Sequence, residues 1–324
     1  MEFVKGSIEG EKEFNGKVFP LTLVPPQRND IKNSWKDLVE MVKKGKEKLS
    51  ECLSDHGAIL FRGFKVESGE EFEKVVESFG WDEFPYEGAA DRNKVASRIY
   101  TANEAPLHVF INFHHEMALI RKFAPKIFFY CLEPAPEGGE TAIVRSDVIV
   151  EEMEKKVPEV VEKLTGEGFK FVLHTKVPYK HGNHDGLDDT NTTVWQRMLK
   201  TKDKLEAQKR ALETLACNAV KFNEDGTAEF TYGPMNPIKE FNGKRVWFNT
   251  ILGYQTSERD GRVSFTDGTS IPTAATDTYS AVLEANCVDI KWLKGDVLLV
   301  DNLAVQHARR VGKPPRSIHV SLCI

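Results

Sequence analysis

The spacing of apolar residues changes along the chain, and each change marks an element. Gly57-Ala58-Ile59-Leu60-Phe61-Arg62-Gly63-Phe64 is an apolar run punctuated by glycines, the form of a buried strand. Ser68 follows with Glu71 three residues on, the spacing of a capping box. Phe72, Val75, Val76 and Phe79 then recur on one helical face until Gly80, so a helix is expected that buries that face. Helical signals return at about 146–164, where Pro158 suits the first turn of a second segment, and again at about 202–216 and 272–286. Asp225-Gly226 separates two extended runs, and Asn242-Gly243 divides 237–241 from 244–249, so two hairpins are expected. Gly295-Asp296 reads as a turn into the buried strand 297–300, and 317–324 is strand-like. Short, hairpin-linked strands with helices between them predict a mixed α+β fold with a mainly β, antiparallel core and helices packed outside. No repeat or linker divides the sequence, so residues 1–324 are expected to form one domain.

Composition narrows the function classes. The 324 residues are 40% hydrophobic and 29% charged, ordinary for a soluble globular protein. A net charge of -5 offers no basic field for a polyanion, so nucleic acid is not an expected partner. Residues 1–12 carry charges throughout and no apolar h-region, and the longest apolar runs are too short to span a bilayer. No cysteine stands four from the end, so prenylation is not indicated. A cytoplasmic location without membrane association is the expectation. The five cysteines, Cys52, Cys131, Cys217, Cys287 and Cys323, are odd in number and never in a C-x-x-C pair, which favours buried thiols in a reducing compartment.

The chemically informative segment is Asn112-Phe113-His114-His115-Glu116-Met117. As a strand it would put His114 and Glu116 on one face and His115 on the other. An imidazole and a carboxylate so placed can hold one metal ion, and His307, just after the buried strand, supplies a third ligand. Two histidines and one carboxylate leave three positions of an octahedron open, the facial triad of non-haem iron(II) oxygenases. Zinc suits such a site less, because four-coordinate zinc cannot take two co-substrate oxygens and dioxygen together. A zinc-protease motif is excluded, since His115-Glu116-Met117-Ala118 runs into Leu119 where a second histidine should stand. The segment Glu137-Gly138-Gly139-Glu140 fits neither a dinucleotide fingerprint nor a P-loop.

His114 and Glu116, then Pro134-x-x-x-Gly138-Gly139-Glu140-Thr141, then Gly295-Asp296 through Asp301-Asn302, and His307-x-x-Arg310 occur in order, with Leu60-Phe61-Arg62-Gly63 before them and Arg245-Val246-Trp247-Phe248-Asn249 between. In this the chain resembles the TauD/TfdA superfamily over nearly its whole length, and within it the plant clavaminate synthase-like proteins, which carry His-x-Glu rather than His-x-Asp. The resemblance implies a double-stranded β-helix, or jelly roll, whose mouth holds iron(II) and 2-oxoglutarate, with dioxygen as the other co-substrate. It implies that Thr141 touches the distal carboxylate of 2-oxoglutarate and that an arginine completes that subsite. Arg309, Arg310 and Arg316 compete for this role. Arg316 is preferred because it opens the last strand, with Arg310 as the alternative. Beyond His319 the chain has Val320 where many relatives carry a basic residue. The family reaction releases succinate and carbon dioxide while hydroxylating, desaturating or cyclising a small-molecule substrate. Halogenation is not expected, since Glu116 fills the position chloride would need.

Asn103, His108 and Asn249 are candidates for contact with that substrate. His181-Gly182-Asn183-His184-Asp185 mimics a metal cluster but is dominated by turn formers, so a surface loop or lid is expected. His174 and His319 read as core histidines, and Trp195, Trp247 and Trp292 as core aromatics. Two other readings stay open: a jelly-roll binding protein without turnover, and a zinc hydrolase using the same two histidines and glutamate.

Overall fold

The structure, a computed structural model, describes residues 2–27, 32–85, 92–102, 105–176, 192–255 and 259–324. Two sheets face one another at its centre. The larger has the strand order Val4–Lys5, Leu21–Val24, Ala58–Phe61, Val297–Asp301, Lys126–Glu133, Ser317–Cys323 and Tyr100–Thr101. Its pairings are antiparallel except between Leu21–Val24 and Ala58–Phe61. The smaller runs Val288–Ile290, Thr141–Arg145, Val305–Arg309 and Ile111–His114, the last at its edge among the described residues.

The period of two along each strand assigns the faces. Ala58, Leu60, Ile127, Phe129, Leu298, Val300, Ile318 and Val320 of the large sheet meet Ile143, Val288, Ile290 and Val305 of the small one in a single apolar core. The alternate residues Ile59, Phe61, Phe128, Tyr130, Val297 and Leu299 point outward and are covered by the helices Trp35–His56 and Gly69–Ser78. Burying a side chain of this size contributes roughly 1.5–3 kcal/mol, so both faces of the large sheet favour this layering. The outer face of the small sheet, through Phe113, Ala142, Val144 and Ala308, packs on helices and on a five-stranded sheet carrying Phe169, Phe171 and Phe230. The result is a mixed fold with a largely antiparallel β core and outer helices, as the patterning led us to expect, and the core is jelly-roll-like, as the resemblance implied.

Local signals fared unequally. Ser68 caps the helix Gly69–Ser78 by accepting from the Glu71 amide, but the Glu71 carboxylate accepts from Glu67 N at 2.7 Å, so only half of the expected capping box forms. Helical signals at 146–164 become Ser146–Lys156 and Pro158–Gly166, with proline at the start of the second. Lys204–Glu213 and Thr273–Asn286 account for the other two. Both hairpins form, and Asn242 and Gly243 take the positive φ values, 52° and 73°, that a two-residue turn of this hand requires. The 22-residue helix Trp35–His56, capped by Ser34 and Asp37, went unread in the sequence.

Candidate metal centre

Strand parity aims the functional side chains. Phe113 is committed to the outer core, so its neighbours Asn112 and His114 face the interior of the sandwich. Val305 faces the same interior, and His307, two residues on, shares its side. His114 and His307 are cross-strand partners with ring centroids 4.3 Å apart. Phe129 from the opposite sheet sets its ring against His307 at 5.2 Å.

Glu116 reaches the same place by a different route from the one its spacing suggested. The strand ends at His114, and Met117 turns the chain with a φ of 61°. Glu116 is therefore positioned by Asn302 rather than by the sheet ladder. Its amide donates to Asn302 Oδ1 at 2.8 Å, while Asn302 Nδ2 donates to Glu116 O at 3.0 Å and to Ala124 O at 2.7 Å. His115 points the other way, as alternation requires. Its ring bridges Asn302 O at 2.5 Å and Ser146 Oγ at 2.8 Å and stacks on Phe248.

Ligand atoms of His114, Glu116 and His307 all lie within 4.8 Å of one another. His114 Nδ1 lies 2.7 Å from Asn112 O, a contact that takes the N–H tautomer and leaves the Nε2 lone pair available. Glu116 Oε2 stands 3.7 Å from His307 Nε2, and its Oε1 accepts from Arg92 at 2.9 Å. Burial, helped by the neighbouring His307, pushes the His114 imidazole down to about 4. Burial, the largest single influence on Glu116, opposes its ionisation, but the Arg92 guanidinium together with His307 and His114 outweighs it and holds the carboxyl well below its usual range. At neutral pH the cluster is thus an anion beside a neutral His114, the protonation that metal binding requires. His307 turns Nε2 toward the Glu116 carboxylate, the nitrogen that could join it on one ion, while its Nδ1 is buried with no hydrogen-bond partner among the described residues. The donor set suits iron(II).

Thr141, 4% exposed, opens its strand on the interior side shared with Ile143. Its Oγ1 accepts from Trp292 Nε1 at 3.1 Å and from Arg316 Nη2 at 3.4 Å. Arg316 Nε also donates to Gly139 O at 2.7 Å, and a Cβ on Gly139 would sit 3.0 Å from the Arg316 side chain, so this glycine makes room for it. Burial, with Arg309 nearby, pushes the Arg316 guanidinium down to about 10, which leaves it cationic at neutral pH. Arg310 is engaged elsewhere, paired with Asp289 and with both oxygens of Glu284. Arg309 donates to the carbonyls of Ala105, Pro106 and Val109.

Asn249 is buried, with Nδ2 on Asn236 O and Oδ1 unpartnered, and His108 is exposed ahead of the metal strand. Asn103, His181 and His184 lie outside the described residues. His174 is half-buried rather than core, because its strand turns that face outward, and His319 is buried. Trp195, Trp247 and Trp292 are all buried. Sequence reasoning missed Arg92 and Trp292 as partners of the site, and also the Arg62–Asp296 pair at 2.6 Å. That pair joins two motif segments whose separate resemblance was visible, and so could have been anticipated.

A family model described as the taurine catabolism dioxygenase TauD, TfdA family, matches residues 18–322. The clavaminate synthase-like protein At3g21360 of Arabidopsis thaliana is 39% identical over 331 aligned positions, covering 99% of this chain and 98% of its own. The dapdiamide synthesis protein DdaC of Enterobacter agglomerans is 26% identical, over 85% and 84% of the two chains. Among solved structures, an asparagine oxygenase in complex with Fe(II), 2S,3S-3-hydroxyasparagine and succinate shares the fold at a TM-score of 0.55, with 13% identity over 90% of this chain and 81% of that one.

Proposed function

Because the chain belongs to the TauD/TfdA family of dioxygenases, we propose that it is an iron(II)- and 2-oxoglutarate-dependent oxygenase acting on a small molecule by hydroxylation, desaturation or oxidative ring closure, with release of succinate and carbon dioxide. Residues 1–324 act in this reading as one oxygenase domain. The observation that carries it is the convergence of His114, Glu116 and His307 within 4.8 Å on an interior that Thr141 also faces.

His114, Glu116 and His307 would hold the iron(II) through two imidazoles and one carboxylate. Iron(II), when bound, supplies the activation of dioxygen that couples decarboxylation of 2-oxoglutarate to oxidation of the substrate. The protein's own residues do the rest. Arg316 and Thr141 take the distal carboxylate of 2-oxoglutarate, the first by charge and the second by its hydroxyl. Arg92 keeps one oxygen of Glu116 engaged, so that the other turns toward His307. Asn302 fixes the Glu116 backbone, and Phe129 shields one side of the His307 ring from water. His108 and the unpartnered Oδ1 of Asn249 are the described candidates for substrate contact.

An assay of oxygen-dependent succinate release from 2-oxoglutarate, run with iron(II) over a library of small metabolites, tests the reading. Wild type is expected to turn over and His114→Ala to be inactive. Equal succinate release by both, or none from wild type under oxygen, overturns it. Chlorinated product at high chloride would contradict the role given to Glu116.

A further inference from the structure

We propose that Trp292 is a positioning residue of the 2-oxoglutarate subsite, its indole N–H setting the polarity of the Thr141 hydroxyl so that the hydroxyl proton is presented to the co-substrate's distal carboxylate. The inference rests on the reading of Thr141 and Arg316 as that subsite.

The argument is one of hydrogen-bond capacity. A threonine hydroxyl has one proton and two lone pairs, while an indole N–H and a guanidinium can only donate. Thr141 Oγ1 lies 3.1 Å from Trp292 Nε1 and 3.4 Å from Arg316 Nη2, so both of its lone pairs face donors. The nearby acceptor Gly139 O already takes Arg316 Nε at 2.7 Å. The hydroxyl therefore keeps only its proton to offer, and the ligand that suits it is an acceptor. Without the indole N–H, the hydroxyl could rotate and present a lone pair to the same anion, which repels it.

Trp292 is held firmly enough to enforce this. It is 7% exposed and packs in the core between the two sheets. The strand just before it pairs Ile290 with Thr141. On either side of the indole, Arg62 Nη2 donates to Lys291 O at 2.8 Å and Leu293 N donates to Asp296 Oδ2 at 2.9 Å. Arg62 and Asp296 are themselves joined at 2.6 Å, so one partly buried ion pair clamps the backbone on both flanks of the tryptophan.

The test is calorimetric titration of 2-oxoglutarate into Mn(II)-loaded protein, with Mn(II) affinity measured alongside, for wild type, Trp292→Phe, Thr141→Val and the double variant. Trp292→Phe is expected to weaken 2-oxoglutarate binding by about tenfold, the scale of one hydrogen bond, at unchanged Mn(II) affinity. In the Thr141→Val background the same substitution should have no further effect, because the hydroxyl it acts through is gone. Should Trp292→Phe fail to fold, benzothienylalanine placed at 292 by codon suppression keeps the ring shape and deletes only the N–H. Unchanged 2-oxoglutarate affinity on loss of the N–H, or an equal loss in the Thr141→Val background, overturns the proposal alone. If Thr141→Val itself binds 2-oxoglutarate like wild type, the underlying reading of the subsite falls and the proposal with it.

Discussion

Replacing Asn302 with alanine removes the side chain that holds Glu116 where a metal can use it. Asn302 is fully buried and makes three hydrogen bonds: it accepts from Glu116 N and donates to Glu116 O and Ala124 O. Alanine would leave one N–H and two carbonyls without these partners. Each buried group so stranded costs about 1–3 kcal/mol, and partial relaxation brings the expected total to about 3–6 kcal/mol. Against a typical stability of about 5–15 kcal/mol this is a large fraction. Glu116 would also lose its fixed backbone, so Mn(II) affinity should fall about 10- to 100-fold. Urea unfolding of the metal-free protein measures the first effect, and calorimetric titration with Mn(II) the second. Asn302→Asp sharpens the test: one oxygen can still accept from Glu116 N, but the other replaces the donor that faced two carbonyls, so the variant should be at least as destabilised at neutral pH. If Asn302→Ala unfolds within 1 kcal/mol of wild type, on the scale of a routine surface change, and binds Mn(II) equally well, the role given to this side chain is wrong.

Two further expectations separate residues that the sequence could not. Arg316→Ala should weaken 2-oxoglutarate binding to the Mn(II)-loaded protein by about 10- to 100-fold, the scale of charge-assisted hydrogen bonds. Arg310→Ala should leave that affinity unchanged and cost about 1 kcal/mol or less of stability, since its partners are largely exposed, and the opposite ranking would reassign the subsite. Stability of the metal-free protein should fall with acid, because burial pushes His115 down to about 3 and His114 to about 4 while the unfolded chain takes up these protons below about pH 6.5. The contribution is fully present above pH 6.5 and is lost as the pH falls toward 4, roughly 3 kcal/mol for His114 alone. Urea midpoints that stay level from pH 7 to pH 4 would reject it.

The sequence carried the fold class and the three residues that converge in the candidate metal centre, for identifiable reasons. Period-two alternation with glycine punctuation is a strong signal, and it placed the strand at 57–64, the buried strand at 297–300 and the two hairpins. Helix Trp35–His56 escaped because Lys43-Lys44-Gly45-Lys46-Glu47-Lys48 interrupts its apolar positions, although Leu38, Met41, Val42, Leu49 and Leu53 are all buried. The convergence of His114, Glu116 and His307 was legible because two of them sit in one short motif and the third follows a recognisable buried strand. How Glu116 is held was not legible, since it depends on Asn302, 186 residues away. Arg92 was equally hidden, because nothing in its neighbourhood distinguishes it from a solvated surface charge. Trp292 read as core by its apolar bulk, and it is core. Only its ring nitrogen, which no periodicity reports, ties it to Thr141.

Strand Ile111–His114 borders the small sheet, its one neighbour among the described residues is Val305–Arg309, and the pairing slips between His307 and Arg309. An ion gripped by His114 and His307 would rivet this outermost strand to the rest of the molecule. Metal supply would then govern solubility as well as turnover. Stripped of its ion, the chain would let the border peel and bare a row of backbone donors and acceptors, the template on which a second copy can zip. Chelator-treated preparations should cloud on warming sooner than loaded ones, and a cell short of iron would lose the protein itself rather than merely its activity.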